Sequence, residues 1–271
     1  MKQLQFVNLI ILSVFLTIAG CGRTDNDDNA AEIAVTNSYI QSAVQEFLGS
    51  NKSVLCLTSP GMCPGHFDVS PGQISKLCKC KAVLYFDWQN AIEKSMVRVK
   101  EQGVEFYAVS ALPGMCLPKS YLQTCRDVFE ALSKVYPAEK ETLTKKMEAI
   151  EQRLSAMEKQ IGEKMDRAKL KGEKVVCSRH QELFAKWLGL DVVATFAGVD
   201  TESISNIQQS FDKTQGQSIR FIIANKQEGT DLAKALADRL GGKVIVFSNF
   251  PETDFDELIG ANLNQLLESG E

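Results

Sequence analysis

Histidine is scarce in this chain: His66 and His180 are the two among 271 residues. That excludes any site built on three imidazoles. There are eight cysteines, yet no two stand in a Cys-x-x-Cys spacing, so the dithiol motif of thiol oxidoreductases is missing. A net charge of -4 supplies no positive excess for a nucleic-acid backbone, and no nucleic-acid partner is expected. The apolar run Phe6–Ala19 is too short for a membrane-spanning helix and suits the core of a signal peptide.

What is there begins with one long stripe. From Ala138 to Lys171, the residues Leu143, Met147, Ile150, Leu154, Met157, Ile161, Met165 and Ala168 recur at steps of three and four, with Lys and Glu between them. That is one apolar face of a helix. Pro137 suits its first turn, Glu139 and Glu141 its positive end, Lys169 and Lys171 its negative end, and Gly172 its stop. The rod would be roughly 50 Å long. Such a stripe also suits a coiled coil, but strand-like segments on both sides favour a strut across two domains.

Before the strut, short apolar strands at Glu32–Val35, Val54–Leu57, Ala82–Phe86 and Val104–Val109 alternate with helices at Ser38–Leu48, Pro71–Leu77, Asn90–Gln102 and Lys119–Tyr136. After it, strands at Lys174–Cys177, Asp191–Phe196, Ile219–Ile223 and Lys243–Phe247 alternate with helices at Arg179–Leu188, Glu202–Thr214, Gln227–Leu240 and Phe255–Leu267. Alternation of this kind gives parallel sheets covered by helices. The expected fold is therefore α/β: two lobes, each a small parallel sheet flanked by helices, joined by one long backbone helix. The divisions are a signal peptide (1–20), a flexible tether (21–31), an N-terminal lobe (32–136), the helix (137–171) and a C-terminal lobe (172–271). Ligands in such sheets bind beyond the carboxyl ends of the strands. Two loops at those ends carry the same run, Pro60-Gly-Met-Cys63 and Pro113-Gly-Met-Cys116.

The signal-like segment ends Ile18-Ala-Gly-Cys21, which looks like the lipobox of bacterial lipoproteins, with Cys21 supplying the thiol for lipidation. With Pro60-Gly61, Pro71, Leu84-Tyr-Phe, the strut and Val175-Val-Cys-Ser-Arg-His-Gln-Glu-Leu-Phe-Ala-Lys-Trp-Leu-Gly-Leu190, the chain resembles the substrate-binding proteins of bacterial zinc and manganese ABC transporters. The resemblance implies two lobes on a backbone helix, one metal ion between them, and ligands of three His and a carboxylate. It implies no enzyme. The partner is a membrane permease, the location the periplasm or extracellular face, and the body a lipid-anchored monomer.

The ligand loops depart from that pattern. Pro64-Gly-His-Phe-Asp68 shifts His66 by one position, Pro113 to Pro118 has no His, His180 stands two residues past Cys177-Ser178, and the acidic positions fall on Asn225 and Ser248. Thiolates can take the place of imidazoles. Cys63, His66, Cys116 and His180 then form the expected ligand set, with Asp68, Asp87 and Cys177 as further candidates. Zinc is the leading ion, ahead of manganese, copper(I) and iron. Cys63 and Cys116 equally suit a disulfide in an oxidising compartment, and the two His suit hydrogen-bonded structural roles. Met62 and Met115 read as packing residues. Cys78 and Cys80 read as structural, Cys56 and Cys125 as core. Two other functions remain open: a receptor for a chelated metal of siderophore or cobalamin type, and a thiol-redox lipoprotein using Cys63 and Cys116.

Overall fold

The structure, a computed structural model, describes residues 31–62, 69–198, 203, 208 and 212–270. Four strands, β1 (Ile33–Val35), β2 (Val54–Cys56), β3 (Ala82–Phe86) and β4 (Glu105–Val109), form one sheet in the order β2-β1-β3-β4. Strands β5 (Lys174–Ser178), β6 (Asp191–Phe196), β7 (Phe221–Asn225) and β8 (Lys243–Phe247) form a second sheet in the equivalent order β6-β5-β7-β8. Every described pairing is parallel. In both sheets the chain leaves its first strand toward one edge and then returns to the other side. The switch points, where strand order reverses, lie between β1 and β3 and between β5 and β7.

The helices are α1 (Ser38–Leu48), α2 (Pro71–Leu77), α3 (Asn90–Ser95), α4 (Val97–Glu101), α5 (Pro118–Val135), α6 (Lys140–Arg167), α7 (Glu182–Trp187), α8 (Asp231–Leu240) and α9 (Phe255–Gly270). Local chemistry sets several of their starts. The Asn37 side chain accepts from the Ile40 amide at 3.0 Å to open α1. Ser70 and Gln73 form a reciprocal capping box ahead of α2, satisfying two amides that a helix start leaves unpaired.

Helix α6 is the strut. Leu143, Met147, Ile150, Leu154, Ile161 and Met165 are its buried face, while Met157 is half-buried and Ala168 exposed. The helix is shorter than the sequence suggests: 28 residues, or about 42 Å. It begins after a 3-10 turn at Pro137–Glu139. It ends at Arg167 because Lys169 takes φ 53°, the left-handed conformation expected of Gly172, and the Leu170 amide bonds back to the Met165 carbonyl. Leu170 is fully buried, so its packing holds that turn. The single helix expected over Asn90–Gln102 breaks at Met96 into α3 and α4. The helix expected over Glu202–Thr214 lies largely outside the described residues.

One core joins both sheets. Ile33, Val35, Leu84 and Phe86 of the first sheet share a continuous apolar cluster with Val175, Cys177, Phe221 and Ile223 of the second, closed by the buried faces of α1, α5, α6 and α9. The alternate strand residues face outward into two smaller cores: Ala34 and Val83 under α2 and α4, and Val176, Ile222 and Ala224 under α8. Among the described residues no helix is long and apolar enough to cross a membrane.

Candidate functional site

Parallel strands place their following loops at one end of each sheet, and here those two ends meet. Gly61, after β2, donates its amide to the Pro251 carbonyl at 3.2 Å. Its own carbonyl accepts from the Gln227 side chain at 2.8 Å. Gln227 also donates to the Ser248 hydroxyl at 2.9 Å and accepts from the Asn249 amide at 3.1 Å. At the second Pro-Gly-Met-Cys loop, Gly114 has φ 79°, and a Cβ there would stand 2.6 Å from Leu117 and 3.3 Å from Leu183. Glycine is needed both for its backbone and for the close approach of α7.

Cys116 sits at the centre of this seam and is fully buried. Its thiol donates to the Ser248 carbonyl at 3.0 Å and lies 3.6 Å from the Asn249 side-chain oxygen. The Asn262 amide donates to its sulfur at 3.5 Å. Burial pushes the thiol far above its ordinary pKa, so it stays protonated at neutral pH. Beside it, Gln181 donates to the side-chain oxygens of Asn225 at 3.1 Å and Asn249 at 3.0 Å. Gln181 is fully buried, and its own oxygen has no hydrogen-bond partner among the described residues. The middle of the seam is thus an uncharged hub of amides and one thiol.

His180 belongs to a different cluster. The backbone leaves β5 through a 3-10 turn, Arg179–Gln181, that turns Gln181 inward and leaves the His180 side chain 64% exposed. The imidazole Nε2 stands 3.5 Å from Oε1 of Glu228. That carboxylate is fixed by the Gly198 amide at 3.0 Å and by the Ser178 hydroxyl. Sequence reading missed Glu228. The signal available was its place just past β7, three residues beyond Asn225.

The other candidates are dispersed. Asp87 accepts from the Ala111 amide at 3.4 Å and is exposed. Cys177 is buried in the main core, and burial there pushes its thiol up to about 12. Cys21, Cys63, His66 and Asp68 lie outside the described residues. Among the described residues no group of three or more His, Cys, Asp and Glu side chains is arranged to hold a metal ion. Cys116 carries a free thiol, as do Cys56, Cys78, Cys80, Cys125 and Cys177. Cys125 is core and Cys56 is half-buried against it. Cys80 packs at its helix–strand junction and donates to the Ala31 carbonyl at 3.2 Å. Met115 packs against the core, but Met62 is 51% exposed.

Residues 116–269 match the family model for the periplasmic zinc-uptake complex component A, ZnuA. That is more than half of the chain. The chain belongs to this family. The ZnuA family is one of metal-binding, substrate-binding components of ABC transporters, and it is not a family of enzymes. A curated relative, the metal ABC transporter substrate-binding lipoprotein ScbA of Streptococcus cristatus, is 24% identical over 202 residues; the match covers 64% of this chain and 64% of the relative's length. Solved structures share the fold. The crystal structure of ZnuA superposes with a TM-score of 0.73 at 14% identity, covering 89% of this chain and 100% of that one. The laminin-binding protein Lbp of Streptococcus pyogenes gives 0.73 at 16%, covering 90% and 100%. The Mn-bound periplasmic metal binding protein of Candidatus Liberibacter asiaticus gives 0.72 at 13%, covering 88% and 99%. Membership of the ZnuA family removes the thiol-redox reading, and the buried, protonated thiol of Cys116 is consistent with that.

Proposed function

We propose that this chain is a lipid-anchored extracytoplasmic receptor that delivers a transition-metal ion, zinc first, to the permease of an ABC transporter. The observation that carries the reading is the family match over residues 116–269, which takes in α5, the strut and nearly all of the second lobe. The division into lobes at 32–136 and 172–271 about the helix at 137–171 belongs to the same reading. So does a monomer held at the membrane through Cys21.

The ligand set proposed is Cys63, His66, Cys116 and His180, with Asp68, Asp87 and Cys177 behind them. Sulfur and imidazole together favour zinc over manganese, which prefers oxygen. Cys116 can join this shell only by giving up its proton and its bond to Ser248, so zinc binding through it releases a proton. A chelated metal needs a wide pocket between the lobes. The direct bonds from Gly61 to Gln227 and Pro251, and from Cys116 to Ser248, support a bare ion instead.

The test is metal analysis of the full chain purified under reducing conditions, followed by calorimetric titration of chelator-stripped protein with zinc and with manganese. One equivalent of tightly bound zinc is expected. Absence of stoichiometric binding of either ion would overturn the receptor reading. Cys21→Ser should move the protein from the membrane to the soluble fraction, and an unchanged membrane fraction would sink the lipid anchor alone.

A further inference from the structure

We infer that Arg153 is a charge latch between the lobes: its guanidinium lets α1 of the first lobe and α9 of the second close on each other, and without it that face of the molecule opens. None of the proposed metal ligands takes part, so the latch stands or falls apart from the metal-receptor reading.

Arg153 lies midway along the strut, and its two terminal nitrogens serve different lobes. Nη2 donates to Oε1 of Glu46 on α1, and Nη1 donates to Oδ1 of Asp256 on α9. A second arginine beside the strut makes a contrast: Arg126 reaches Glu151 at 2.7 Å, which joins α5 to α6 and leaves α9 out. Glu46 is tied to α9 by a hydroxyl chain as well. The Phe255 amide donates to Ser42 at 3.0 Å, Ser42 lies 2.8 Å from the Tyr121 hydroxyl, and Tyr121 donates to Glu46 at 3.4 Å. A carboxylate only accepts, so every hydroxyl in the chain donates toward Glu46. Two routes, one ionic and one neutral, thus run from α9 to the same carboxylate.

The charges around the latch explain why a cation is needed. A cleft of about 580 Å³ lies between α1 and the turn into α9. Its described lining carries four carboxylates, Glu46 from the first lobe and Glu252, Asp254 and Asp256 from the second, against one cation, Arg153. Closure brings like charges together across the cleft, and the guanidinium between Glu46 and Asp256 turns that repulsion into attraction. Glu46 needs it most. Its side chain is 22% exposed, and burial raises its carboxyl even with Arg153 beside it. The groups that face it from α5, Tyr121 and Cys125, are held neutral by burial. Those from α6 and α9 are Arg153 and Asp256. A largely buried carboxylate left without its cation is strongly unfavourable, and moving α9 away lets water reach it. The cleft also reaches Pro60, next to Gly61, whose amide holds the Pro251 carbonyl at 3.2 Å. The latch therefore lies at the edge of the seam, and an open α1–α9 face frees that edge.

The experiment is native-state hydrogen exchange of the chelator-stripped full chain, read by mass spectrometry. It compares wild type, Arg153→Met, Arg153→Met with Glu46→Gln, and Arg126→Met. Arg153→Met should speed exchange at the start of α9 and the carboxyl half of α1 at least about tenfold, as when one partner of a buried ion pair is removed, with β3 and β7 unchanged. Glutamine at position 46 keeps an acceptor for Tyr121 without the charge, so the double variant should return to within about threefold of wild type. Arg126→Met should leave both segments as they are. Unchanged exchange in Arg153→Met would overturn the latch. So would a rise that Glu46→Gln does not reverse, since Arg153 would then act by packing, or an equal rise in Arg126→Met. If Arg153→Met does not fold, recovery of folding in the double variant supports the latch, and failure of both overturns it.

Discussion

Phe255 is the residue on which the two halves of this molecule are most directly tested. It opens α9 in the second lobe and is fully buried. Its ring stacks on Tyr121 of α5 with centroids 4.0 Å apart and planes 2° apart. It meets Tyr39 of α1 edge-on at 6.2 Å, and its backbone amide donates to the Ser42 hydroxyl at 3.0 Å. Phe255→Ala therefore removes a ring from a packed interface and leaves the Tyr121 face without a partner. Deletions of this kind cost about 3–5 kcal/mol, of which the two aromatic pairs account for about 0.5–1.5 kcal/mol each. For a domain of this size each kcal/mol lowers Tm by about 2–4 °C, so a fall of roughly 6–20 °C is expected.

The same variant tests whether the lobes unfold as one. The chain has two tryptophans: Trp88 lies just past β3 of the first sheet, stacked on Phe86 at 6.0 Å. Trp187 ends α7 beside the second sheet, stacked on Phe184 at 5.8 Å. Trp88→Phe and Trp187→Phe each leave one reporter, one per lobe. Because a single apolar cluster spans both sheets, urea transitions followed through either tryptophan should coincide. In the Phe255→Ala background the midpoint should drop for both together. A cost under about 1 kcal/mol, or two separate transitions in wild type, would refute a core shared across the seam.

Two further outcomes follow from titrating groups. Burial, partly offset by Arg153, raises the carboxyl of Glu46; the folded state then holds its proton more tightly than the unfolded one. Its contribution to stability is complete below the unfolded pKa and lost as pH rises through the folded value, so Glu46→Gln should make the urea midpoint fall less, or rise more, as pH climbs above the ordinary carboxylate range; equal pH dependence in the two proteins would refute it. Alkylation of native, metal-free protein at about pH 8 should modify half-buried Cys78 well before Cys116, Cys125 and Cys177, which are buried, because the reagent must reach the sulfur; mass spectrometry showing Cys116 among the first modified would contradict its place in the seam.

The fold was legible because its signals are local. Asn37 and Ser70 are N-cap residues, Pro71 suits a first turn, and five-residue apolar runs such as Ala82–Phe86 suit strands buried on both faces. Accordingly α1, α2, β3, β6 and β8 fall where the pattern puts them. The misplaced ends have local causes that composition hides. Lys169 adopts a left-handed turn under the pull of Leu170, and the 3-10 turns at Arg179–Gln181 and Lys226–Glu228 delay α7 and α8. The site was much less legible. Gln227 and Gly61 are 166 positions apart, and Cys116 and Asn262 are 146 apart. No periodicity links such residues. A neutral glutamine also carries no mark that separates a hub residue from a surface one.

The placement of charge explains why the seam was hard to read. A reading that looks for ligands seeks His, Cys, Asp and Glu, and amides fall outside that set. In the folded chain the seam between the lobes is held by groups that lose little on burial when paired: the amides of Gln181, Gln227, Asn249 and Asn262, and the thiol of Cys116. One acceptor, the Gln181 oxygen, is left unpaired among the described residues, and leaving such a group unbonded costs about 1–3 kcal/mol. An ionised carboxylate at that depth would cost more unless a cation were always present. Neutral amides bring no full charge that closing the seam would strip of water. Charge stands at the rim instead, where Glu228 has backbone and hydroxyl donors and His180 is open to solvent.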